Sequence, residues 1–516
     1  MQLRGCLLIQ PINRRPLEAV VSQVSTPKFD NSYVRLPERF YTRQAPEPVR
    51  APGMIRINEA LARQLGISLE WLNSAEGLQV LAGNQLAPGS EPIATVYAAH
   101  QFGGWNPRLG DGRAVLLGEV VDSRGRRFDV QLKGSGRTPY SRGGDGRSPL
   151  GPVLREYIVS EAMAALGVPT SRSLAAVTTG EKVRRERSLP GAILTRVSSS
   201  HIRIGTFQYF ASRDDQEAVH ILADHVIKRH YPAAAKAERP YVALLQAVIA
   251  RQANLVADWQ QLGFIHGVMN TDNMLVSGDT VDYGPCAFMD AYHPDKVFSS
   301  IDEGGRYAYS NQPGIAQWNL AWLARALLPL LDEDEDAAVQ AGQQAIDAYE
   351  KQYLDAYNDL MRRKLGLART NEKSITLVTE LLQAMHEAGA DYTLTFRRLA
   401  ELAGPTPGPE QASIAGIFEL PDTLQPWLEK WRAQLAAEAG PAAERQRQML
   451  ALNPVFIPRN HLVEEIIRAA TDKDDFEPFH QLVERLAMPC RYDEKDARYA
   501  TPPRPEQMVA RTFCGT

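Results

Sequence analysis

An amide and a carboxylate nine residues apart have the chemistry to hold one divalent cation. They are Asn273 and Asp282, in the stretch NMLVSGDTVD. Residues 274–276 and 280–282 have strand-like composition, and Ser277-Gly278 between them is typical of a two-residue turn. The stretch therefore predicts a β-hairpin with Asn273 and Asp282 at its open end.

The turn fixes the expected pairing across this hairpin. Residues pair outward from the turn, which puts Met274 opposite Val281 and Asn273 opposite Asp282. Directly opposed Cβ atoms lie about 4.5–5.5 Å apart, and Mg²⁺ prefers such oxygen ligands, completed by water and phosphate oxygens. We expect a Mg²⁺ or Mn²⁺ site here. The plainer alternative is that Asn273 caps a turn and Asp282 is a solvated strand end.

The segment before the hairpin has the spacing of a protein-kinase catalytic loop. Residues 263–275 read GFIHGVMNTDNML, with His266 and Asn273 placed as the His and Asn of that loop. The position of the kinase aspartate, which accepts the substrate proton, holds Val268, and an acid stands at Asp272 instead. The sequence thus predicts either a kinase-like protein without its base or an enzyme with different chemistry on a kinase-like scaffold.

A glycine turn, two strands and a lysine precede this region. Gly110-Asp111-Gly112 comes before the β-rich run 114–121, and the alternating FDVQLK that follows ends at Lys133. Kinases use a glycine loop over the phosphates and a strand lysine beside them. The order predicts that Lys133 binds phosphate. The alternative is a surface lysine with a buried stem.

A kinase-like lysine is held by a glutamate from the next helix, and the sequence offers two. The stretch VLREYIVSEAMAALG predicts a helix, with Pro152 suited to its first turn and Gly167 just past its end. Glu156 and Glu161 both lie within it, and we favour Glu156.

More positive charge surrounds these elements than a kinase pocket needs. Arg113, Arg196 and Arg203 stand near them in the sequence, together with the loop around Asp145-Gly146. A guanidinium matches phosphate oxygens with two parallel hydrogen bonds. One such arginine carries little meaning, but the excess indicates a triphosphate held in an unusual way.

Strand-like segments dominate the first part of the chain and helical segments the rest. That order favours an α+β fold, a bilobal protein-kinase-like fold with a strand-rich N-lobe and a helical C-lobe, plus N- and C-terminal extensions. The expected divisions are an N-terminal extension packing on the core, the N-lobe, the C-lobe, and a C-terminal helical extension with a redox-active tail, at 1–90, 91–215, 216–400 and 401–516.

Composition and net charge limit the kinds of partner that we expect for this protein. The 516 residues carry a net charge of −4, which gives no overall basic footprint for nucleic acid. No run approaches the ~20 apolar residues of a membrane span. Four cysteines form no disulfide scaffold or zinc cluster. We expect a cytoplasmic protein, a monomer, with no membrane or nucleic-acid partner.

The longer motifs resemble those of the selenoprotein O family, protein adenylyltransferases with a kinase-like fold. The likeness rests on RLGDGR, FDVQLKGSGRTPYSRGGDGR, GPVLREYI, HGVMNTDNM and DYGPCAFMD, and extends from FDNSYVRLP (29–37) to the C-terminus. It implies that AMP passes from ATP to hydroxyl side chains of proteins, with release of pyrophosphate. It also implies that ATP binds inverted relative to a kinase, with its α-phosphate facing the acceptor.

The resemblance assigns roles residue by residue. It implies that Lys133 and Glu156 form an ion pair, that Asn273 and Asp282 hold the metal, and that Asp272 is the catalytic base. The alternative for Asp272 is a group that orients Asn273. The nucleotide contacts it implies are Gly110, Gly112, Arg113, Lys133, Asp145, Gly146, Arg196 and Arg203.

The resemblance also implies a redox pair. Cys514, two residues from the C-terminus, stands where many family members carry selenocysteine or cysteine, and Cys286 follows Asp282-Tyr283-Gly284. A reversible disulfide between them would restrain the segment beside the metal site. The alternative is two unrelated thiols, with Cys286 filling the core.

Three other functions stay open at this stage. One is a conventional kinase-type phosphotransferase, another is transfer of UMP instead of AMP, and the third is a catalytically inactive ATP-binding scaffold. The acceptor proteins are not encoded in any motif of the chain.

Overall fold

The computed structural model of the chain describes residues 26–404 and 412–513. It is a mixed fold in which the strand-rich part comes first and the helical part follows, as the sequence predicts at this coarse level. Among the helices of the described residues, none combines the length and apolar character needed to cross a membrane.

Twelve strands lie in these residues, eight of them in one sheet. In chain order they are β1 Tyr41–Arg43, β2 Gly53–Ile57, β3 Ile93–Thr95, β4 Ala99–Gln101, β5 Gly104–Asn106, β6 Ala114–Val121, β7 Arg127–Lys133, β8 Ser148–Pro149, β9 Arg172–Arg184, β10 Ser188–Ser198, β11 Phe264–Ile265 and β12 Ala287–Phe288.

The large sheet is antiparallel, in the order β1-β3-β6-β7-β10-β9-β2, with β8 beside β10. Its register brings two predicted site residues to one face. Gln131 and Lys133 are two residues apart on β7 and therefore lie on the same face of the sheet. Arg196 of β10 lies directly opposite Gln131. Opposed residues share a face, so Lys133 and Arg196 are diagonal neighbours on the same side. Both edges of the sheet come from residues before position 60.

Sixteen α-helices are present in the same residues. They are α1 Glu59–Leu65, α2 Leu69–Leu72, α3 Ala75–Leu81, α4 Leu150–Ala165, α5 Ile204–Ala211, α6 Gln216–His230, α7 Pro240–Leu262, α8 Gln312–Leu331, α9 Glu335–Lys364, α10 Glu372–Ala388, α11 Tyr392–Leu402, α12 Gln425–Ala437, α13 Ala442–Leu452, α14 Asn460–Lys473, α15 Glu477–Leu486 and α16 Ala497–Ala500.

The helix α7 is the centre of the helical part. It packs against α8 and α9 and buries Leu245, Val248 and Trp259. Proline at its first position has no amide hydrogen to leave unsatisfied. Gly263 ends it with a φ of 69°, a left-handed conformation that costs glycine little. The helix therefore ends where the kinase-like segment, residues 263–275, begins, and it places that segment next to the sheet.

The C-terminal part is tied to the rest by buried contacts. The helices α14 and α15 pack on α4, where Arg155 lies 2.5 Å from Glu464. The guanidinium of Arg459 is fully buried and 2.8 Å from Asp391. The end of the described chain is anchored at Thr512, whose amide donates to the carbonyl of Phe298 at 2.8 Å.

Candidate active site

A cavity of about 830 Å³ lies where the sheet meets the kinase-like segment. Most of the residues that the sequence singles out meet there. The predicted residues that line it are Gly110, Gly112, Arg113, Lys133, Asp145, Gly146, Arg196, Arg203, Asp272, Asn273 and Asp282. Glu156 stands behind this lining and bonds to it. One cavity therefore collects side chains that are up to 172 positions apart.

A network of four charged side chains forms the inner end of the cavity. Lys133 Nζ lies 2.6 Å from Glu156 Oε2, and Arg196 Nη2 lies 2.5 Å from Glu156 Oε1. Both cations also contact Asp282 Oδ1, Arg196 at 2.9 Å and Lys133 in a shorter hydrogen bond. The helix α4 brings Glu156 over the sheet face that carries Lys133 and Arg196, and the network cross-links strand, helix and loop.

The network keeps its carboxylates charged. Burial alone would raise the pKa of Asp282, but Lys133 and Arg196 hold it well below its usual value. Burial opposes the charge of Glu156 in the same way, and the same two cations lower its pKa. The pKa of Arg196 is raised, because the two carboxylates outweigh the burial that would lower it. Both carboxylates therefore depend on the two cations for their charge.

The second candidate glutamate has a different place. Glu161 accepts hydrogen bonds from Arg172, at 2.7 Å, and from Asn58, at 2.6 Å. It also accepts from the amide of Ser173. These contacts fasten α4 to β9 and α1. Glu156 and not Glu161 is thus the glutamate that meets Lys133.

The two glycines of the Gly-Asp-Gly turn are held against Tyr140. A Cβ atom on Gly110, whose φ is 136°, would lie 2.4 Å from the Tyr140 ring. A Cβ atom on Gly112 would lie 2.8 Å from the Tyr140 carbonyl oxygen. The turn needs glycine because the loop after β7 packs directly on it. Close packing of two loops is thus sufficient to account for both glycines.

Arg203 joins this turn to the kinase-like segment. Its Nη1 lies 3.5 Å from Asp111 Oδ1, its Nε donates to the carbonyl of Asp272 at 2.8 Å, and its guanidinium stands 4.4 Å from the ring centroid of Tyr97. Burial would lower the pKa of Arg203, but Tyr97 and Asp111 raise it. The arginine is therefore a fixed positive charge in the cavity wall.

The predicted hairpin register is wrong. Thr271–Asn273 form a turn of 3₁₀ helix, and Met274 bridges Thr280 where Val281 was expected. The amide of Gly278 donates to the carbonyl of Leu275 at 3.0 Å, which puts the turn at Val276-Ser277, one residue earlier than predicted, and Leu275 bridges Arg203 instead of Thr280. The composition of the turn could not reveal this, because the partner of Leu275 is distant in the sequence.

Asn273 and Asp282 nevertheless reach the same cavity, from two loops. The Nδ2 of Asn273 donates to the carbonyl of Val268 at 3.0 Å, which fixes the amide plane. Asp282 has a φ of 66°, a left-handed conformation uncommon outside glycine. Val268, in the place of the kinase base, thus supplies a carbonyl that orients the neighbouring amide.

The oxygen atoms left over suit a hard divalent cation. Within the described chain no donor bonds to Asn273 Oδ1 or Asp282 Oδ2, and Asp272 Oδ1 is buried without a partner. Carboxylate and amide oxygens are the donors that Mg²⁺ and Mn²⁺ prefer. The described residues contain no group of three or more His, Cys, Asp and Glu side chains able to hold a metal. Water and nucleotide oxygens would therefore complete the coordination.

Asp272 has the environment of a proton acceptor. Gln101 donates to its Oδ2 at 3.1 Å, while burial raises its pKa to about 6. His266, by contrast, has a structural role. It is fully buried, its Nε2 lies 2.9 Å from the carbonyl oxygen of Val281, and burial lowers its pKa. This histidine ties the kinase-like segment to the residue before Asp282.

At the outer end of the cavity, Asp145 meets an arginine that the sequence did not single out. Arg185 Nη1 lies 2.8 Å from Asp145 Oδ2, and its Nη2 lies 3.1 Å from Oδ1. The hydrogen bonds from Arg185 lower the pKa of Asp145. Asp145 therefore positions a cation. Arg185 comes from the turn between β9 and β10, and only the arginine-rich run RRER marked it in the sequence.

The cavity is strongly cationic although the chain is slightly acidic. Among the described lining residues are eight arginine or lysine side chains and four aspartates. The cations not yet named in its lining are Arg142, Arg147 and Arg184. A surplus of this size suits the negative charge of a nucleoside triphosphate.

The segment after Asp282 is in contact with the C-terminal tail. Cys286 is fully buried, and the Oγ1 of Thr512 donates to the carbonyl of the preceding Pro285 at 2.5 Å. Thr512 stands two positions before Cys514 in the sequence. Cys514 itself, and with it the Cys286–Cys514 pair, lies outside the described residues.

A cationic cavity with a buried lysine–glutamate pair defines a class of protein, an enzyme that acts on a phosphorylated nucleotide. Comparison with known families makes the class specific. The model of the family described as protein adenylyltransferase SelO matches residues 23–487. The chain belongs to this family, and the family predicted from the sequence motifs is confirmed.

Close relatives share almost the whole chain. A protein of Bradyrhizobium sp. (strain BTAi1) named protein nucleotidyltransferase YdiU is 58% identical over 490 residues, which cover 95% of this chain and 99% of the relative. A protein of the same name from Rhodopseudomonas palustris (strain BisB18) is 57% identical, with the same coverage. One from Nitrobacter winogradskyi is 56% identical over 95% of this chain and 96% of its own.

Proposed function

We propose that this protein transfers AMP from ATP to serine, threonine or tyrosine hydroxyls of other proteins and releases pyrophosphate. Membership of a family of protein adenylyltransferases supports nucleotidyl transfer to a protein. The observation that carries the proposal is that Lys133, Glu156, Asn273 and Asp282 come together around one cationic cavity. This is where a metal-bound triphosphate would need them.

The proposal includes a bilobal kinase-like arrangement. The sheet within 91–215 would form the N-lobe and the helices of 216–400 the C-lobe, with 1–90 and 401–516 as extensions. Support comes from the order of strands and helices and from the position of the cavity between them. Gly110, Gly112, Arg113, Asp145, Gly146 and Arg203 would contact or shape the nucleotide site.

The chain's own residues would act on the acceptor as follows. The acceptor hydroxyl oxygen forms a bond to the α-phosphorus, and the bond from that phosphorus to the oxygen of pyrophosphate breaks. The hydroxyl proton passes to the carboxylate of Asp272, which lines the cavity. Lys133, Arg196 and Arg203 neutralise the charge of the phosphates.

Asn273 and Asp282 are the residues that would hold Mg²⁺ or Mn²⁺, together with nucleotide oxygens. When bound, the cation supplies charge neutralisation at the phosphates. Cations line both ends of the cavity. A triphosphate would therefore contact positive charge in either of two opposite orientations. The inverted orientation that the family resemblance implies is part of this proposal.

ATP labelled separately at the α- and γ-phosphates tests the reaction. Label should pass to protein from the α position only, and peptide mass spectrometry should place AMP on hydroxyl side chains. Transfer from the γ position would instead establish a phosphotransferase, and transfer from neither would leave an inactive ATP-binding scaffold. A parallel incubation with α-labelled UTP decides between AMP and UMP.

Two variants link the reaction to the site. Asp282→Ala should abolish transfer from the α position, because it removes a metal ligand and the second partner of Lys133 and Arg196. Glu161→Gln is the matched control, since this carboxylate pairs with Arg172 away from the cavity. Retained transfer in Asp282→Ala would remove the metal assignment.

We also propose that Cys286 and Cys514 form a reversible disulfide. The contact between Thr512 and Pro285 supports it, because it brings the chain two residues before Cys514 next to the residue before Cys286. Mild oxidation followed by peptide mapping tests the pair. Absence of a Cys286–Cys514 peptide under these conditions would end the proposal.

A further inference from the structure

A second cavity, of about 800 Å³, shares no lining residue with the first. Six parts of the chain enclose it. They are the segment around Ser32, the turn between β6 and β7, the connection at Ser199, the end of α6, Arg251 of α7, and the turn 277–279. Because both the sheet and the helical part contribute, it lies across their junction. We call it the basic cleft.

The lining of the basic cleft is almost wholly cationic. Its described residues include six lysine or arginine side chains and two histidines but a single carboxylate, Asp279. That carboxylate is engaged: its Oδ2 accepts hydrogen bonds from Ser198 and from Ser199. An anion entering the cleft would therefore meet almost no opposing charge in direct contact.

Some of these cations have a structural task. Arg229 holds two buried carboxylates beneath the wall, with Nη2 2.6 Å from Asp129 and Nη1 3.3 Å from Glu119. Arg127 lies 3.2 Å from the same Glu119, and Arg126 pairs with Asp122 at 2.7 Å. These pairs fix the wall of the cleft, and none of their carboxylates is among the residues that line it.

Two cations in the cleft have no such partner. Arg251 donates to the carbonyls of Ser277, at 2.9 Å, and His230, at 3.0 Å, and its guanidinium lies 4.3 Å from the ring centroid of Tyr231. Lys228 is exposed. In the described part of the chain neither side chain has a carboxylate within ion-pair distance. The fixed geometry of Arg251 makes it a prepared anion contact.

The histidines give an independent sign of an unmet anion. The Nε2 atom of His225 is buried and has no hydrogen-bond partner among the described residues, which is costly for a polar group. Burial, and then the charge of Arg229, lower the pKa of His225 to about 4 and that of His230 to about 3. Both rings are thus neutral mainly because they are buried, and Asp129 offsets only part of the positive charge of Arg229 beside them.

We propose that the basic cleft binds a small phosphomonoester, with Lys228 and Arg251 as its main charged contacts and His225 as a hydrogen-bond partner. A phosphomonoester carries about two negative charges near neutral pH, which matches the two unpaired cations. The volume exceeds what phosphate alone would fill and leaves room for the ester group. This site is separate from the proposed adenylyl transfer and does not depend on it.

The location of the cleft allows a bound ligand to affect the candidate active site. Ser277 and Asp279 belong to the turn that joins Asn273 to Asp282. We infer that a ligand on this turn shifts the positions of Asn273 and Asp282, and this coupling would act in both directions between the two sites. We expect inorganic phosphate to change the rate of transfer to protein, and this effect should disappear when the cleft is disabled.

Titration calorimetry of full-length protein with inorganic phosphate tests the site. The nucleotide cavity is first saturated with a non-hydrolysable ATP analogue and Mg²⁺, so that phosphate cannot enter it. The wild type should bind phosphate, and the double variant Lys228→Ala/Arg251→Ala should bind at least about tenfold more weakly. The control is Lys373→Ala/Arg325→Ala, which removes the same charge from exposed positions elsewhere and should bind as the wild type.

Equal binding by the cleft variant and the wild type would overturn the site, as would no binding by the wild type at several millimolar. NMR titration of the histidine rings adds a second readout that does not need the double variant. Phosphate in the cleft should raise the pKa of one ring, assigned with His225→Gln, and an unchanged His225 would also overturn the proposal. An unchanged transfer rate despite binding would overturn only the linkage.

The phosphomonoester could be soluble or carried by a lipid. Sedimentation with vesicles of phosphatidylcholine containing phosphatidic acid distinguishes these sources. We expect the wild type to stay in the supernatant, because the cleft is enclosed by six parts of the chain. Sedimentation that is lost in Lys228→Ala/Arg251→Ala would overturn the soluble source and keep the site.

Discussion

The two ends of the candidate active-site cavity contain the same kind of contact in different surroundings. At the inner end Arg196 meets Glu156 with side chains 2% and 4% exposed. At the outer end Arg185 meets Asp145 with side chains 22% and 37% exposed. A buried charge that loses its partner is strongly destabilising, whereas an exposed pair contributes little. The inner end is therefore a rigid unit and the outer end an adjustable one.

The difference shows which residues tolerate change. Lys133, Arg196, Glu156 and Asp282 each contact at least two others of the group. Arg185 contacts one carboxylate and two backbone carbonyls, and it can shift on its turn without leaving a buried charge alone. Variants at the two ends should differ in kind, with folding and transfer lost together at one end and nucleotide affinity alone reduced at the other.

Glu156→Gln should have the largest effect. It leaves Lys133 and Arg196 with Asp282 as their only shared carboxylate, and the free energy of unfolding should fall by about 3–5 kcal/mol. Chemical denaturation measures this loss, and transfer from α-labelled ATP should be lost with it. Glu161→Gln, on the same helix, should lose less. Equal losses in the two variants would remove the distinction between the network and an ordinary ion pair.

The next largest effect should come from acid, which should reduce the stability that the buried inner end contributes. The pKa of Glu156 in the folded protein lies below its unfolded value of 4.5, because Arg196 and Lys133 overcome its burial. Its stabilisation is complete above the unfolded value and is lost as pH falls through the folded value, since the unfolded chain then binds more protons. Between pH 5 and 3, Glu156→Gln should therefore lose stability less steeply than the wild type, as measured by urea unfolding. Parallel curves would contradict this.

Arg185→Ala should have a moderate effect confined to the nucleotide. Arg185 lines the cavity at a partly exposed position, and loss of its charge beside the proposed triphosphate should raise the KM for ATP about tenfold, which corresponds to about 1.4 kcal/mol. The value of kcat and the unfolding transition should stay near those of the wild type. Arg185→Lys should fall between the two, because it keeps the charge and loses the fork geometry. A fall in kcat alone would place Arg185 at the reacting end.

Asp145→Asn should have the smallest effect. The amide can still accept one hydrogen bond from Arg185, and the pair is too exposed to contribute more than about 1 kcal/mol. A change of a few-fold in the KM for ATP, with unchanged stability, is expected in steady-state kinetics. A larger effect than that of Arg185→Ala would mean that Asp145 contacts the nucleotide directly.

The sequence predicts the inner end of the cavity well and the outer end poorly. The strand 114–121 and the lysine at the end of the next strand follow from local periodicity, and both are where it places them. Arg185 could not be found in this way, because its position depends on how far β9 and β10 extend before they turn. The hairpin register failed for a related reason, since Leu275 pairs with Arg203, which is distant in the sequence, and the turn lies one residue earlier than predicted.

The edges of the sheet impose an order on how the chain can fold. The strands β1 and β2 come first in the chain but pair with strands much further along it. The partner of β1 is β3, which begins at position 93, and the partner of β2 is β9, which begins at position 172. Until the chain reaches β9, the strand β2 has no ladder to join, and contacts this distant in sequence form slowly. Residues 41–57 thus supply both edges of the sheet, and a protein that lacked them would expose the long flank of β9 to other chains.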